Sequence, residues 1–189
     1  MKTESEFKSC SIGAVVIRAN GDREKLGTIS YWHRSRYKRW LWQARQIFRS
    51  LLPALFGMPI LATLQVNGGR GIVTGRLRAV GTEPLNIGWG TGAGTTAGAD
   101  TTLFTEVLVN MTAGGTDHTV VTSSQQTKTT TNDTYRVTGT RTATASGTIT
   151  NAGLFDAASG GTLFLKGDFA GIALANGDAI AFTFNCQYS

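Results

Sequence analysis

From residue 58 to the end, the sequence consists of short apolar segments that alternate with clusters of Gly, Asn, Asp and Thr. Such segments predict β-strands, because β-branched and aromatic side chains favour an extended backbone while Gly, Asn and Asp favour turns. We predict strands over residues 60–66, 71–80, 103–111, 118–123, 135–150, 162–169 and 179–188. Many short strands with turns predict a mainly β fold, an antiparallel β-sandwich or jelly roll, and disfavour an α/β arrangement.

The tetrapeptide Ala-Asn-Gly-Asp occurs twice, at residues 19–22 and 175–178. Asn-Gly accepts the positive φ angles of a type I′ turn, which is the strongest short-range signal for a β-hairpin. We therefore predict an N-terminal β-hairpin over residues 11–30. By the same argument we predict a second hairpin that pairs residues 163–174 with residues 179–188.

A helical pattern occupies residues 35–56. Its large apolar residues recur at steps of three and four, so they share one face, while most of its basic residues fall elsewhere. This pattern predicts one amphipathic, basic helix. Pro53 weakens its last turn, and Gly57 followed by Pro59 ends it. The apolar face comprises Tyr37, Trp40, Leu41, Ala44, Ile47, Phe48, Leu51, Leu52 and Leu55.

The positive charge is concentrated in the first third of the chain. Residues 1–57 contain 11 Lys and Arg against 4 Asp and Glu, a net +7, whereas residues 58–189 contain 7 against 8, a net −1. We therefore divide the chain into an N-terminal hairpin and basic helical arm over residues 1–57, which serves for attachment, and a β-sandwich domain over residues 58–189.

The sequence gives little sign of catalytic chemistry. His33 and His118 have no carboxylate or Cys at a spacing that defines a metal site or a nucleophile's base, so we expect surface or interface histidines. The segment 88–94 is rich in Gly but lacks a Gly-Lys-Ser/Thr ending and a following helix, so we expect a surface loop over residues 88–98 with Trp89 as its anchor. We predict no catalytic, cofactor-binding or metal site and no cofactor.

Two cysteines, Cys10 and Cys186, lie near opposite ends of the sequence. Two unpaired thiols are our expectation, with a disulfide between them as the alternative. Residues 1–10 have no apolar run of a secretory signal, and the apolar stretch 47–64 is interrupted by Arg49, two prolines and Gly57. We therefore expect no membrane span.

One stretch combines aromatic and basic residues in a way that suits binding. A helix of this kind can dock into an acidic groove of a partner protein, bind nucleic acid, lie on a membrane surface, or pack on its own β-domain with a solvated basic face. Docking to a protein partner is the interpretation that we favour. The candidate partner-binding residues are Trp32, Arg34, Arg36, Lys38, Arg39, Trp40, Trp42, Arg45, Phe48 and Arg49.

The run over residues 149–163, with Gly177-Asp178 and a closing aromatic strand, resembles small β-domains in virion proteins of tailed bacteriophages. The run Ile87-Gly88-Trp89-Gly90 is similar to the segment that opens such domains. The likeness extends over residues 86–184, about half of the chain, and does not cover residues 1–57. It implies assembly on a phage particle and supplies no catalytic residues.

Together these observations lead us to expect a non-enzymatic structural protein of the virion. We expect a capsid decoration or cement protein that binds the major capsid protein or another virion protein and stabilises the head shell. A tail or head fibre component is the first alternative, and a nucleic-acid-binding protein packaged with the genome is the second, less favoured one. We also expect a homo-oligomer, for example a trimer, that is made in the host cytoplasm and located on the virion.

Overall fold

The structure, a computed structural model, describes residues 7–32 and 62–188. In these ranges it contains two antiparallel sheets and one α-helix. The expectation of a mainly antiparallel β-sandwich is confirmed, while a jelly-roll topology stays a prediction. In chain order the elements are β1 (Phe7–Ile17), β2 (Arg23–Trp32), β3 (Ala62–Gln65), α1 (Asn67–Leu77), β4 (Asn86–Gly90), β5 (Glu106–Val107), β6 (Thr119–Val120), β7 (Thr122–Gln126), β8 (Thr134–Thr142), β9 (Gly147–Phe155), β10 (Leu163–Leu174) and β11 (Ala179–Tyr188).

The first sheet has the strand order β2-β1-β11-β8-β7, and the second has the order β3-β10-β9-β4-β5, with β6 paired to β4. Apolar side chains from both sheets form one core. In β1, alternate residues such as Ile12 and Val16 are buried in this core, whereas Ser9 and Ser11 lie on the opposite, outer face. This alternation is what a strand of period two imposes.

The predicted N-terminal hairpin exists, but it belongs to the sandwich. Strands β1 and β2 pair through the turn at residues 18–22, where Gly21 has φ +92°. Strand β1 also pairs with β11 along its whole length, from Phe7 opposite Tyr188 to Ile17 opposite Ala179. A division at residue 57 therefore does not separate the hairpin from the β-domain, because the first and last strands share a ladder.

The second predicted hairpin is wrong. The turn at residues 175–178 does reverse the chain, with Gly177 at φ +89°. However, β10 pairs with β9 and β3 in the second sheet, while β11 pairs with β1 and β8 in the first. The same tetrapeptide thus closes a hairpin at residues 19–22 and connects the second sheet to the first at residues 175–178.

Three predicted segments need correction. The strand expected over residues 71–80 is replaced by α1, and the one expected over residues 135–150 is two strands in different sheets, β8 and β9. The loop expected over residues 88–98 begins inside β4, all of which is buried. The helix predicted over residues 35–56 lies outside the described residues.

Candidate functional site

The candidate partner-binding residues fall almost entirely outside the described part of the chain. Trp32 is the last residue of β2. The other nine lie in residues 33–61, so their grouping on one surface stays a prediction: Arg34, Arg36, Lys38, Arg39, Trp40, Trp42, Arg45, Phe48 and Arg49.

The structure does show where this basic segment starts and ends. It follows β2, an edge strand of the first sheet, and it precedes β3, an edge strand of the second. Strands β2 and β3 lie against each other, so both ends of the segment are fixed at one side of the sandwich. The segment thus connects an edge strand of the first sheet to an edge strand of the second, and its role as an attachment arm stays a prediction.

The net positive charge of the protein is concentrated in this connection. Residues 33–61 contain six Lys and Arg and no Asp or Glu, so their net charge of +6 equals that of the whole chain. The remaining residues contain 12 basic and 12 acidic side chains and are neutral. The net positive charge of the protein therefore comes from this connection.

A polar groove of about 170 Å³ lies on the outer face of the first sheet. A chain of side-chain hydrogen bonds crosses it: Arg136 Nε donates to Asn185 Oδ1 at 2.7 Å, and Asn185 Nδ2 donates to Ser11 Oγ at 3.3 Å. These bonds link three neighbouring strands and hold the outer face in a fixed arrangement. The groove is lined by Ser9, Ser11, Gln126, Thr127, Lys128, Thr134, Arg136, Asn185 and Gln187.

Asp133 organises the turn between β7 and β8, next to this groove. Its carboxylate accepts hydrogen bonds from the backbone N–H groups of Lys128, Thr129 and Thr130 and from Gln187 Nε2. Burial alone would raise the pKa of Asp133, but the hydrogen bonds outweigh it and hold the pKa well below its ordinary value. The carboxylate is a structural group in this turn.

His118 is buried, which corrects the expectation of a surface or interface histidine. Its ring stacks on Phe155 with centroids 4.0 Å apart. Nδ1 lies 2.8 Å from the carbonyl oxygen of Ala157, which can only accept, so Nδ1 carries a hydrogen. Nε2 lies 2.6 Å from Oε1 of Glu106, and the pair shares one further hydrogen. With its side chain 0% exposed, His118 fastens the β5 region to the loop after β9.

Lys166 is a second buried charge, and it holds the long loop that follows β4. Its Nζ donates to Asp100 Oδ2 at 2.9 Å and to the Thr102 carbonyl at 3.0 Å, and it lies 3.0 Å from the centroid of the Phe104 ring. Burial lowers the pKa of Lys166, and the hydrogen bond from Lys166 to Asp100 opposes that shift. Two hydrogen bonds and one aromatic ring thus surround the buried ammonium group.

Arg141 is the third buried charge. Its guanidinium lies over the Trp89 ring at 4.8 Å, and Nη1 donates to the Ile87 carbonyl and to Thr119 Oγ1. Its Nε and Nη2 have no hydrogen-bond partner, and the nearest carboxylate oxygen, on Asp117, is 4.0 Å from Nη2. Burial lowers the pKa of Arg141 to about 10.

Sequence reasoning missed these buried groups. Lys166 and Arg141 sit within segments that were predicted as strands, and nothing in the local pattern marks an inward-pointing charge. In residues 7–32 and 62–188, no group of three or more His, Cys, Asp or Glu side chains could hold a metal ion. No helix in these same ranges is long and apolar enough to cross a membrane.

Comparison with known proteins gives no relative: no family model, no curated protein and no solved structure matches this chain.

Proposed function

We propose that this chain is a non-enzymatic structural protein that attaches to a larger particle through the basic connection at residues 33–61. The observation that carries the proposal is the position of this connection. It holds the entire net charge and three of the candidate aromatic anchors, and both of its ends are fixed at one side of the sandwich. A segment tethered at two points loses less conformational freedom on binding than a free tail of the same length.

The properties of the sandwich support the same proposal. The buried side chains of Lys166 and His118 are engaged in contacts that fasten loops to the second sheet. Asp133 is likewise engaged in the turn that it organises. Groups used in this way stabilise a scaffold and are not available to act on a substrate.

More specifically, we propose a capsid decoration or cement protein of a tailed bacteriophage. The sequence resemblance of residues 86–184 motivates the phage particle, and the basic, tryptophan-bearing connection suits an acidic junction between shell subunits. Burial of apolar surface there contributes roughly 25 cal/mol per Å² before association costs, and repetition over many equivalent sites makes a weak contact sufficient.

The test is a co-sedimentation assay with phage shells that lack the protein. We expect the wild-type chain to pellet with these shells and to raise their resistance to heat. The variant Arg36→Gln, Lys38→Gln, Arg39→Gln should bind about tenfold more weakly or worse. The matched control is Arg70→Gln, Arg76→Gln, Arg78→Gln, which removes the same charge from the exposed surface in and directly after α1 and should bind like the wild type.

Four outcomes distinguish the alternatives. No binding to shells would exclude the decoration role, and equal binding by both triple variants would exclude attachment through the connection at residues 33–61. Sedimentation with isolated tails only would favour the fibre component. Binding to duplex DNA that falls steeply with salt and is lost in the connection variant would favour a packaged nucleic-acid-binding protein.

A further inference from the structure

Cys10 and Cys186 face each other across two neighbouring central strands of the first sheet. They are direct partners in the β1–β11 ladder, and their Sγ atoms lie 2.7 Å apart. Both side chains point into the core, with 0% and 1% exposure, and both are free thiols. The two cysteines are 176 residues apart in the sequence. The pairing of β1 with β11 therefore brings two sulfurs from near opposite ends of the described chain into contact.

The backbone at this position suits a covalent bond. Directly opposed residues of an antiparallel pair have Cα atoms about 4.5 or 5.5 Å apart, depending on the hydrogen-bonding pattern. Both separations fall within the roughly 4.4–6.8 Å that a disulfide spans. A bond between the two sulfurs thus requires side-chain rotation but no shift of either strand.

We propose that Cys10 and Cys186 form a cross-linking site, at which a disulfide oxidant such as oxidised glutathione joins β1 to β11 by an intramolecular disulfide. One thiol loses its proton and attacks the oxidant, which releases one molecule of glutathione and leaves a mixed disulfide. The second thiol then displaces the other glutathione. Two protons and two electrons pass from the protein to the oxidant. This proposal does not depend on the proposed function.

Burial determines when the bond can form. Desolvation raises the pKa of the Cys10 thiol, and the hydrogen bond with Cys186 adds to that shift, so little thiolate exists in the folded core. The reaction therefore belongs to folding or to transient opening of the sheet. Once formed, the bond is shielded from reductants by the same burial.

The cross-link should raise stability, because it links strands near both ends of the chain. In the chain-entropy account, closing a loop of this length constrains the unfolded state strongly. For a protein of this size we expect the Tm of the oxidised chain to exceed that of the reduced chain by on the order of 10 °C.

The experiment refolds the full chain from denaturant with oxidised and reduced glutathione, and in parallel with reductant alone. We expect the oxidised monomer to be lighter by two hydrogens. Non-reducing tryptic digestion should then join the peptide 9–18, released by cleavage after Lys8 and Arg18, to the peptide 167–189, released after Lys166. The variants Cys10→Ala and Cys186→Ala should show neither the joined peptides nor a redox-dependent Tm.

The wild-type chain alone decides the outcome, so the proposal does not depend on the variants folding. Two free thiols, glutathione adducts or linked dimers in the refolded, oxidised protein would overturn it. A cross-link that lowers the Tm would also overturn it, because this result would mean that the strands have to shift to form the bond.

Discussion

Arg18 donates a hydrogen bond to Asp178 Oδ2 at 2.8 Å, and this contact joins the first Ala-Asn-Gly-Asp turn of the chain to the second. Asp178 also accepts from the backbone N–H of Ala19 at 2.9 Å and from that of Ala175 at 3.0 Å. One carboxylate thus accepts hydrogen bonds from the backbone of both turns. The hairpin of β1 and β2 and the crossing from β10 to β11 are held together at the same end of the sandwich.

Replacement of Asp178 should therefore have a larger effect than the same change in the other turn. Asp178→Ala leaves the backbone N–H groups of Ala19 and Ala175 without this acceptor and removes one of the three acceptors of the Arg18 guanidinium, and we expect the Tm to fall by on the order of 5 °C. The matched control is Asp22→Ala, because Asp22 is exposed and, within residues 7–32 and 62–188, its side chain accepts only from the exposed Asn20. Differential scanning calorimetry of both variants measures the difference, and equal effects would contradict this role for Asp178.

We expect the contribution of the Asp178 carboxylate to the stability of the protein to depend on pH. The backbone hydrogen bond from Ala175, together with those from Arg18 and Ala19, lowers the pKa of Asp178 from 3.8 to about 2. A lowered folded pKa means that the stabilisation is complete above about pH 4 and is lost as the pH falls towards 2. The Tm difference between wild type and Asp178→Asn should therefore narrow over this interval. A difference that stays constant from pH 7 to pH 2 would contradict the assignment.

Gly90 lies where the backbone of β4 meets a loop and a buried amide. A Cβ at this position would overlap the Phe104 carbonyl oxygen and would come within 2.8 Å of Asn151 Oδ1. We expect Gly90→Ala to lower the free energy of unfolding by about 2–3 kcal/mol. The control is Gly71→Ala in α1, where a Cβ meets nothing within 4 Å and Ala should stabilise by about 0.5–1 kcal/mol. Urea denaturation of both variants measures these changes, and a neutral Gly90→Ala would show that the loop can move aside.

Local sequence patterns predicted the fold class and the first hairpin but not how the sheets are connected. The Asn-Gly signal shows that the chain reverses at residue 177, and it carries no information on whether the next strand joins the same sheet. The helix α1 was missed because Ile72, Val73 and, just beyond it, Val80 favour strands, and because its four glycines disfavour helices. Tertiary packing explains the position of one of these glycines: Gly69 lies so close to the Phe164 carbonyl that a side chain would clash there.

The features of the candidate site were likewise predictable only in part from the sequence. Composition alone located the basic connection, because the net charge of a segment is the sum of its charged residues and can be counted without a structure. The pairing of Cys10 with Cys186 depends on a ladder between the first and last strands, and no pattern of local residues specifies such a ladder. The inward positions of Lys166 and Arg141 likewise depend on which loops fold over them.

Lys166 and Asp100 should behave as a coupled pair. Removal of one partner leaves a buried charge uncompensated, so we expect Asp100→Ala to cost about 3 kcal/mol. The double variant Lys166→Met, Asp100→Ala should cost less than the sum of the two single variants, because it leaves no unpaired charge. Guanidinium denaturation of the four proteins gives the coupling energy. Additive effects would mean that the Thr102 carbonyl and the Phe104 ring, and not Asp100, stabilise the ammonium.

Removal of the charge of Arg141 should have the opposite effect on stability, although Arg141 is buried as deeply as Lys166. Its Nε and Nη2 have no partner, and Asp117, the nearest carboxylate, is 53% exposed and 4.0 Å away, so the desolvation of the guanidinium is poorly compensated. Met places an unbranched apolar side chain beside Trp89 in place of the guanidinium and removes the charge. We therefore expect Arg141→Met to leave the free energy of unfolding unchanged or to raise it by about 1 kcal/mol, whereas Lys166→Met alone should lower it. A loss of about 2 kcal/mol or more in Arg141→Met, measured by urea denaturation, would show that the hydrogen bonds to Ile87 and Thr119 and the contact with the indole outweigh the cost of burying the charge.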